Sequence, residues 1–124
     1  MSGLCARLKN LDEAGVYRLN CPLDDLLDSV DLNGFAVFEA EFQPGAGKGE
    51  ILAELARVIK APDWFGHNWD ALIDSLCDLS WRPAPGYVLL LHGEVPSEKE
   101  LHDIFEAVVT FWKTQGKPFW IFFI

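Results

Sequence analysis

The chain has 124 residues, half of them hydrophobic and 13% aromatic. That length and composition suit one domain burying roughly two-thirds of its extended-chain surface, and they exclude a disordered segment. The formal charge is −9, from ten basic and nineteen acidic residues, with a pI of ≈ 4.6. Such a balance argues against nucleic-acid or acidic-membrane ligands, which need cationic patches, and favours a basic protein partner or mimicry of a nucleic acid.

The three cysteines, Cys5, Cys21 and Cys77, are odd in number and lack C-x-x-C spacing. They predict neither a disulfide framework nor a thiolate zinc site, and they fit a reducing compartment. The N-terminus M-S-G-L-C-A-R-L-K-N has no signal-peptide apolar run, and no apolar stretch approaches ~20 residues. A soluble cytoplasmic protein is expected.

Residues 1–14 are polar and aperiodic, so loose structure is expected there. Gly15–Leu19 is a short strand candidate. Pro22–Val30 opens on proline and places Leu23, Leu26, Leu27 and Val30 at helical spacing. Asn33-Gly34 signals a turn, and Phe35–Phe42 has the aromatic and β-branched content of a strand. Pro44–Gly49 (P-G-A-G-K-G) lies where a phosphate-binding loop would sit. That pattern needs glycine where Phe42 stands and Ser or Thr where Gly49 stands. It is therefore a connection with Lys48 in solvent.

Glu50–Lys60 carries Ile51, Leu52, Leu55, Val58 and Ile59 on one helical face, and Pro62 ends it. A second helix spans Asn68–Leu79. Gly86–Leu91 is a continuous apolar run, expected of a strand covered on both faces. Ser97 and Glu100 form a capping box before a helix whose face is Leu101, Ile104, Phe105, Val108, Phe111 and Trp112. Gly116 stops that helix, and Phe119–Ile124 is a last buried strand. The order β-α-β-α-α-β-α-β predicts an α/β fold with a small parallel sheet, because helical crossovers return the chain in the same direction.

Between the two central helices the chain reads A-P-D-W-F-G-H-N-W-D-A-L-I-D-S-L-C-D-L-S-W over 61–81. Trp69, Leu72, Ile73 and Leu76 share one side of the helix, while Asp70, Asp74 and Asp78 recur every four residues on another. At a rise of ~1.5 Å per residue the acidic stripe spans about 12 Å. Like charges at that spacing destabilise a helix slightly, and Asp78 near the C-terminal end opposes the dipole. The stripe is either a solvated face or a surface awaiting a cationic partner. Trp64 and Phe65, between Pro62 and Gly66, favour the second, because aromatics beside charges are typical interface anchors. Phe65 is expected to be mostly buried and Trp64 partly exposed. Asn68 is a better helix cap than His67 by residue type.

Pro62, Trp64, Phe65, Gly66, Asn68, Asp70, Ala71, Leu72 and Asp74 together resemble the motif of the barstar family of bacterial ribonuclease inhibitors. The element order extends the likeness over about 33–124 as a family core, with 1–32 as an added strand and helix. The resemblance implies a three-stranded parallel sheet with packed helices. It also implies a 1:1 inhibitor whose loop and helix, 62–78, enter the active-site cleft of a small basic ribonuclease or toxin. Asp74 would stand in for a substrate phosphate, Asp70 would meet basic groups, and Trp64 would pack over the catalytic region. The partner-binding set is Trp64, Phe65, Gly66, His67, Asn68, Asp70, Ile73, Asp74, Cys77 and Asp78. Three positions depart from the type member: Phe111 replaces a last-helix glutamate, Ile73 a tryptophan, and Cys77-Asp78 small residues. They bear on which partner is bound rather than on how.

Two other classes compete. An enzyme pairing Asp70 and Asp74 as acid and base would need one carboxylate in a pocket. A metal site from His67, His92, His102 and the aspartates lacks ligand spacing, and no cofactor is expected. The remaining alternative is an acidic interaction module, an immunity protein for a toxin other than a ribonuclease or a regulatory partner, using the same face.

Overall fold

A computed structural model describes residues 8–61, 68–95 and 99–124. Its strands are β1 (Val16–Arg18), β2 (Ala36–Phe42), β3 (Tyr87–Gly93) and β4 (Phe119–Phe123). The helices are α1 (Leu23–Asn33), α2 (Lys48–Ile59), α3 (Trp69–Leu76) and α4 (Lys99–Thr114). This is the order expected from the sequence. Gly34 and Gly116 end α1 and α4 with left-handed φ of 69° and 73°. The helix stop at Pro62 and the capping box at Ser97 lie outside the described residues.

The strands form one parallel sheet in the order β1-β4-β3-β2. It has four strands, not the expected three, because β1 joins it. With β3 on one side, β4 has one edge left, and Val16, Tyr17 and Arg18 pair along it with Ile121, Phe122 and Phe123. A three-residue strand is weak alone and forms because that edge would otherwise leave backbone groups unpaired. The loose structure expected over residues 1–14 is corrected for 8–14, residues 1–7 lying outside the described residues. Leu8 is fully buried, and the buried Trp120 donates its indole N–H to the Leu8 carbonyl at 2.8 Å. Leu11–Glu13 forms a 3₁₀ turn capped by Asn10. Cys21 is disulfide-bonded, against the cysteine arithmetic, since count and spacing carry no information about which thiols meet in space. Cys77 is free.

Both faces of the sheet are covered. On one, Leu52, Leu55 and Ile59 of α2, Leu72 and Leu76 of α3 and six residues of α4 pack against inward side chains of β2, β3 and β4. On the other, Leu26 and Val30 of α1 with Leu8 and Ala14 cover Val88, Leu90, Trp120 and Phe122. This accounts for the uninterrupted apolar sequence of β3 and β4. Edge strand β2 alternates instead, with Glu39 and Glu41 exposed. No helix among the described residues is long and apolar enough to cross a membrane.

Candidate functional site

α3 begins at Asn68, whose side-chain oxygen accepts the Ala71 amide at 2.8 Å. Asn68 is the cap expected by residue type; it satisfies one of the free donors of the first turn. The helix is fixed to the body at both ends. At its C-terminal end the buried Trp112 of α4 donates its indole N–H to the Leu76 carbonyl at 2.9 Å. At its N-terminal end Lys48 Nζ lies 5.5 Å from the Trp69 ring centroid, a cation–π contact that ties the start of α2 to the start of α3. Lys48 is exposed, as expected, and reaches Trp69 from the solvent side. No sequence pattern joins it to a residue twenty-one positions away.

The face that α3 turns inward is Leu72, Ser75 and Leu76, with Trp69 and Ile73 only half-buried at its margins. Periodicity suggested Trp69 and Ile73 as full members of the core face. The structure gives that place to Ser75, whose hydroxyl is fully buried with no hydrogen-bond partner among the described residues. The helix is also shorter than the expected 68–79. Cys77 caps it, and Asp78 and Leu79 close a turn on the Ser75 carbonyl, with Leu79 left-handed at φ 48°. Asp78 therefore lies just past the helix rather than on its last turn.

Asn68, Asp70, Asp74 and Asp78 are all exposed. None of the three aspartates forms an ion pair within the described residues, where Glu54–Arg57 and Lys99–Asp103 are the pairs formed and Glu39 meets the His92 ring. Asp70 in the first turn is favoured by the helix dipole. Asp74 lies one turn on and acts on its neighbour. The half-buried Cys77 thiol is pushed up to about 11, first by burial and then by the Asp74 charge. It is protonated at neutral pH and a poor nucleophile. Trp64, Phe65, Gly66 and His67 lie outside the described residues. Phe111 is half-buried, packs against the core and meets its neighbour Trp112 edge-on at 5.2 Å.

Of the histidines, His92 and His102 are described and His67 is not. His92 ends β3 against Glu39 at 3.1 Å, while exposed His102 lies beside Phe123, with ring centroids 5.9 Å apart. Among the described residues no group of three or more His, Cys, Asp or Glu could hold a metal ion.

The parallel α/β domain thus buries one face of a short helix and leaves its carboxylates in solvent. The family model for barstar (barnase inhibitor) matches residues 35–124, and the chain belongs to that family. It is thus a barnase-inhibitor-like protein of a family whose partners are ribonucleases. No curated protein and no solved structure matches it.

Proposed function

We propose that this protein inhibits a small basic ribonuclease or related toxin in the cytoplasm, as a 1:1 complex, by placing the acidic segment 62–78 in the enzyme's active-site cleft. The observation that carries the proposal is the set Asp70, Asp74 and Asp78, exposed and without cationic partners among the described residues. Asp70 and Asp74 stand on a helix whose opposite face is buried by Leu72 and Leu76, and Asp78 lies in the turn just past it. Asp74 occupies the place of a substrate phosphate and Asp70 meets the flanking cations. Carboxylates meeting Arg and Lys where water is excluded form short charge-assisted bonds. Ile73 and the half-buried Cys77 supply apolar contact beside them, and Asn68 holds the first turn in place. The protein binds rather than reacts, with both aspartates exposed to solvent and the nearby thiol protonated.

The test is capture of the partner with this chain, its identification by mass spectrometry, and titration of its ribonuclease activity. Activity should fall linearly to zero at one equivalent. Asp70→Ala/Asp74→Ala should remove about 3–5 kcal/mol of binding, the scale of leaving buried charges unpaired in the partner's cleft. A double variant that binds like wild type refutes the reading.

A further inference from the structure

Positive charge gathers at one place on this acidic molecule. A cleft of ≈ 280 Å³ opens beside edge strand β2, with apolar walls from Val37, Phe38, Val58 and Trp81 and with Lys60 and Arg82 as its charged lining. Among the described residues no carboxylate lines it, although acidic residues outnumber basic ones by nineteen to ten. Neither cation is ion-paired among the described residues. Both come from turns of uncommon geometry. Lys60 is left-handed at φ 55°, and Leu79, at φ 48°, starts the turn in which the Arg82 amide donates to the Leu79 carbonyl at 2.9 Å. These are the two non-glycine residues with positive φ among those described. Such conformations persist only where surrounding contacts impose them, and they concentrate at functional sites. Here Trp81 donates its indole N–H to the Ile59 carbonyl at 2.8 Å, and the Tyr87 hydroxyl donates to the Arg82 carbonyl at 2.9 Å.

The cleft adjoins unpaired backbone. The Ala36 amide donates to the Gly86 carbonyl on the β3 side. In a parallel ladder residues alternate in direction, so the amides of Val37, Glu39 and Glu41 face the free edge. The Glu54 carboxylate accepts the Glu41 amide at 2.8 Å and closes that end. The Val37 and Glu39 amides have no acceptor among the described residues. An open edge is a template for another strand, and one flanked by charge selects what adds to it.

The geometry points to a docking site for an extended segment of a partner protein, paired along β2 at Val37 and Glu39, with a carboxylate against Lys60 and Arg82 and a neutral or basic residue beside Glu39. The charges at the two ends of the edge, cationic at Lys60 and Arg82 and anionic at Glu39 and Glu41, set this preference. The site is separate from the acidic face of α3 and does not depend on its role.

The experiment titrates the ¹⁵N-labelled full chain with an end-blocked peptide Asp-Val-Thr-Val-Lys, its uncharged analogue Asn-Val-Thr-Val-Gln, and inorganic phosphate. Saturable shifts are expected at the amides of Val37, Glu39, Lys60 and Arg82 and at the Trp81 indole. Affinity should fall about fivefold for the uncharged peptide and for each of K60E and R82E, the scale of an exposed charge pair. K60Q and R82Q give the same comparison should a reversal disturb folding. Asp70→Ala/Asp74→Ala should leave the titration unchanged, which separates this site from the acidic face. No saturable shift, shifts centred on α3, or the same shifts from phosphate alone would overturn the proposal.

Discussion

Asp74 and Cys77 stand three residues apart on α3, and the carboxylate is one reason the thiol stays protonated. With a pKa of about 11, only about one Cys77 in ten thousand is thiolate at pH 7. Alkylation by iodoacetamide should therefore be slow at neutral pH and rise tenfold per pH unit up to about 11. Asp74→Asn should move the midpoint of that profile downward, because it removes the charge while leaving burial, the larger cause, in place. A midpoint near the ordinary thiol value would contradict the buried placement. The spacing of Asp74 and Cys77 was legible in the sequence. The half-burial that raises the thiol was not, because it depends on how α3 lies on the body.

At the scale of the element, α3 is an eight-residue helix, too short to be stable by itself. Its order comes from its buried face, Leu72 and Leu76, and from the contacts at its ends. Asn68→Ala removes the cap and should cost about 1 kcal/mol in denaturant unfolding, with Asn68→Asp recovering most of it. Trp112→Phe removes the donor to the Leu76 carbonyl and should cost about 1–3 kcal/mol, the penalty of a buried polar group left unmet. The same variant should weaken partner binding, because it loosens the helix that carries the aspartates; unchanged unfolding would show that α4 does not hold α3 in place. The Asn68 cap could be foreseen from its residue type. The attachments by Trp112 and Lys48 could not, since each joins residues distant in the chain.

At the scale of the molecule, the net charge of −9 sets the approach of any basic partner. Asp78 lies beyond the end of α3, in the exposed turn, and contributes to this field. Asp78→Ala should lower the association rate by about two- to threefold at low salt and flatten its ionic-strength dependence, leaving dissociation almost unchanged. An effect confined to the dissociation rate would place Asp78 in direct contact instead. The acidic charge is not uniform, however. Lys60 and Arg82 form a local exception that composition averages away.

Local chemistry was enough to determine the element order, the helix stop at Gly116, the cap at Asn68, the acid-rich face of α3 and the family. Each rests on residue type and near-neighbour spacing, which are written in the chain. Only the tertiary structure decided that β1 completes a four-stranded sheet, that Leu8 is core, that Ser75 rather than Ile73 faces inward, and that Lys48 steadies Trp69. All four depend on which edge, cavity or ring is left unsatisfied after the larger elements pack, and that is settled by contacts between residues far apart in sequence. The segment 61–81, dense in aromatics and acids, thus gives α3 its exposed face, while its position depends on the core that receives Leu72 and Leu76 and on Trp112 from outside it.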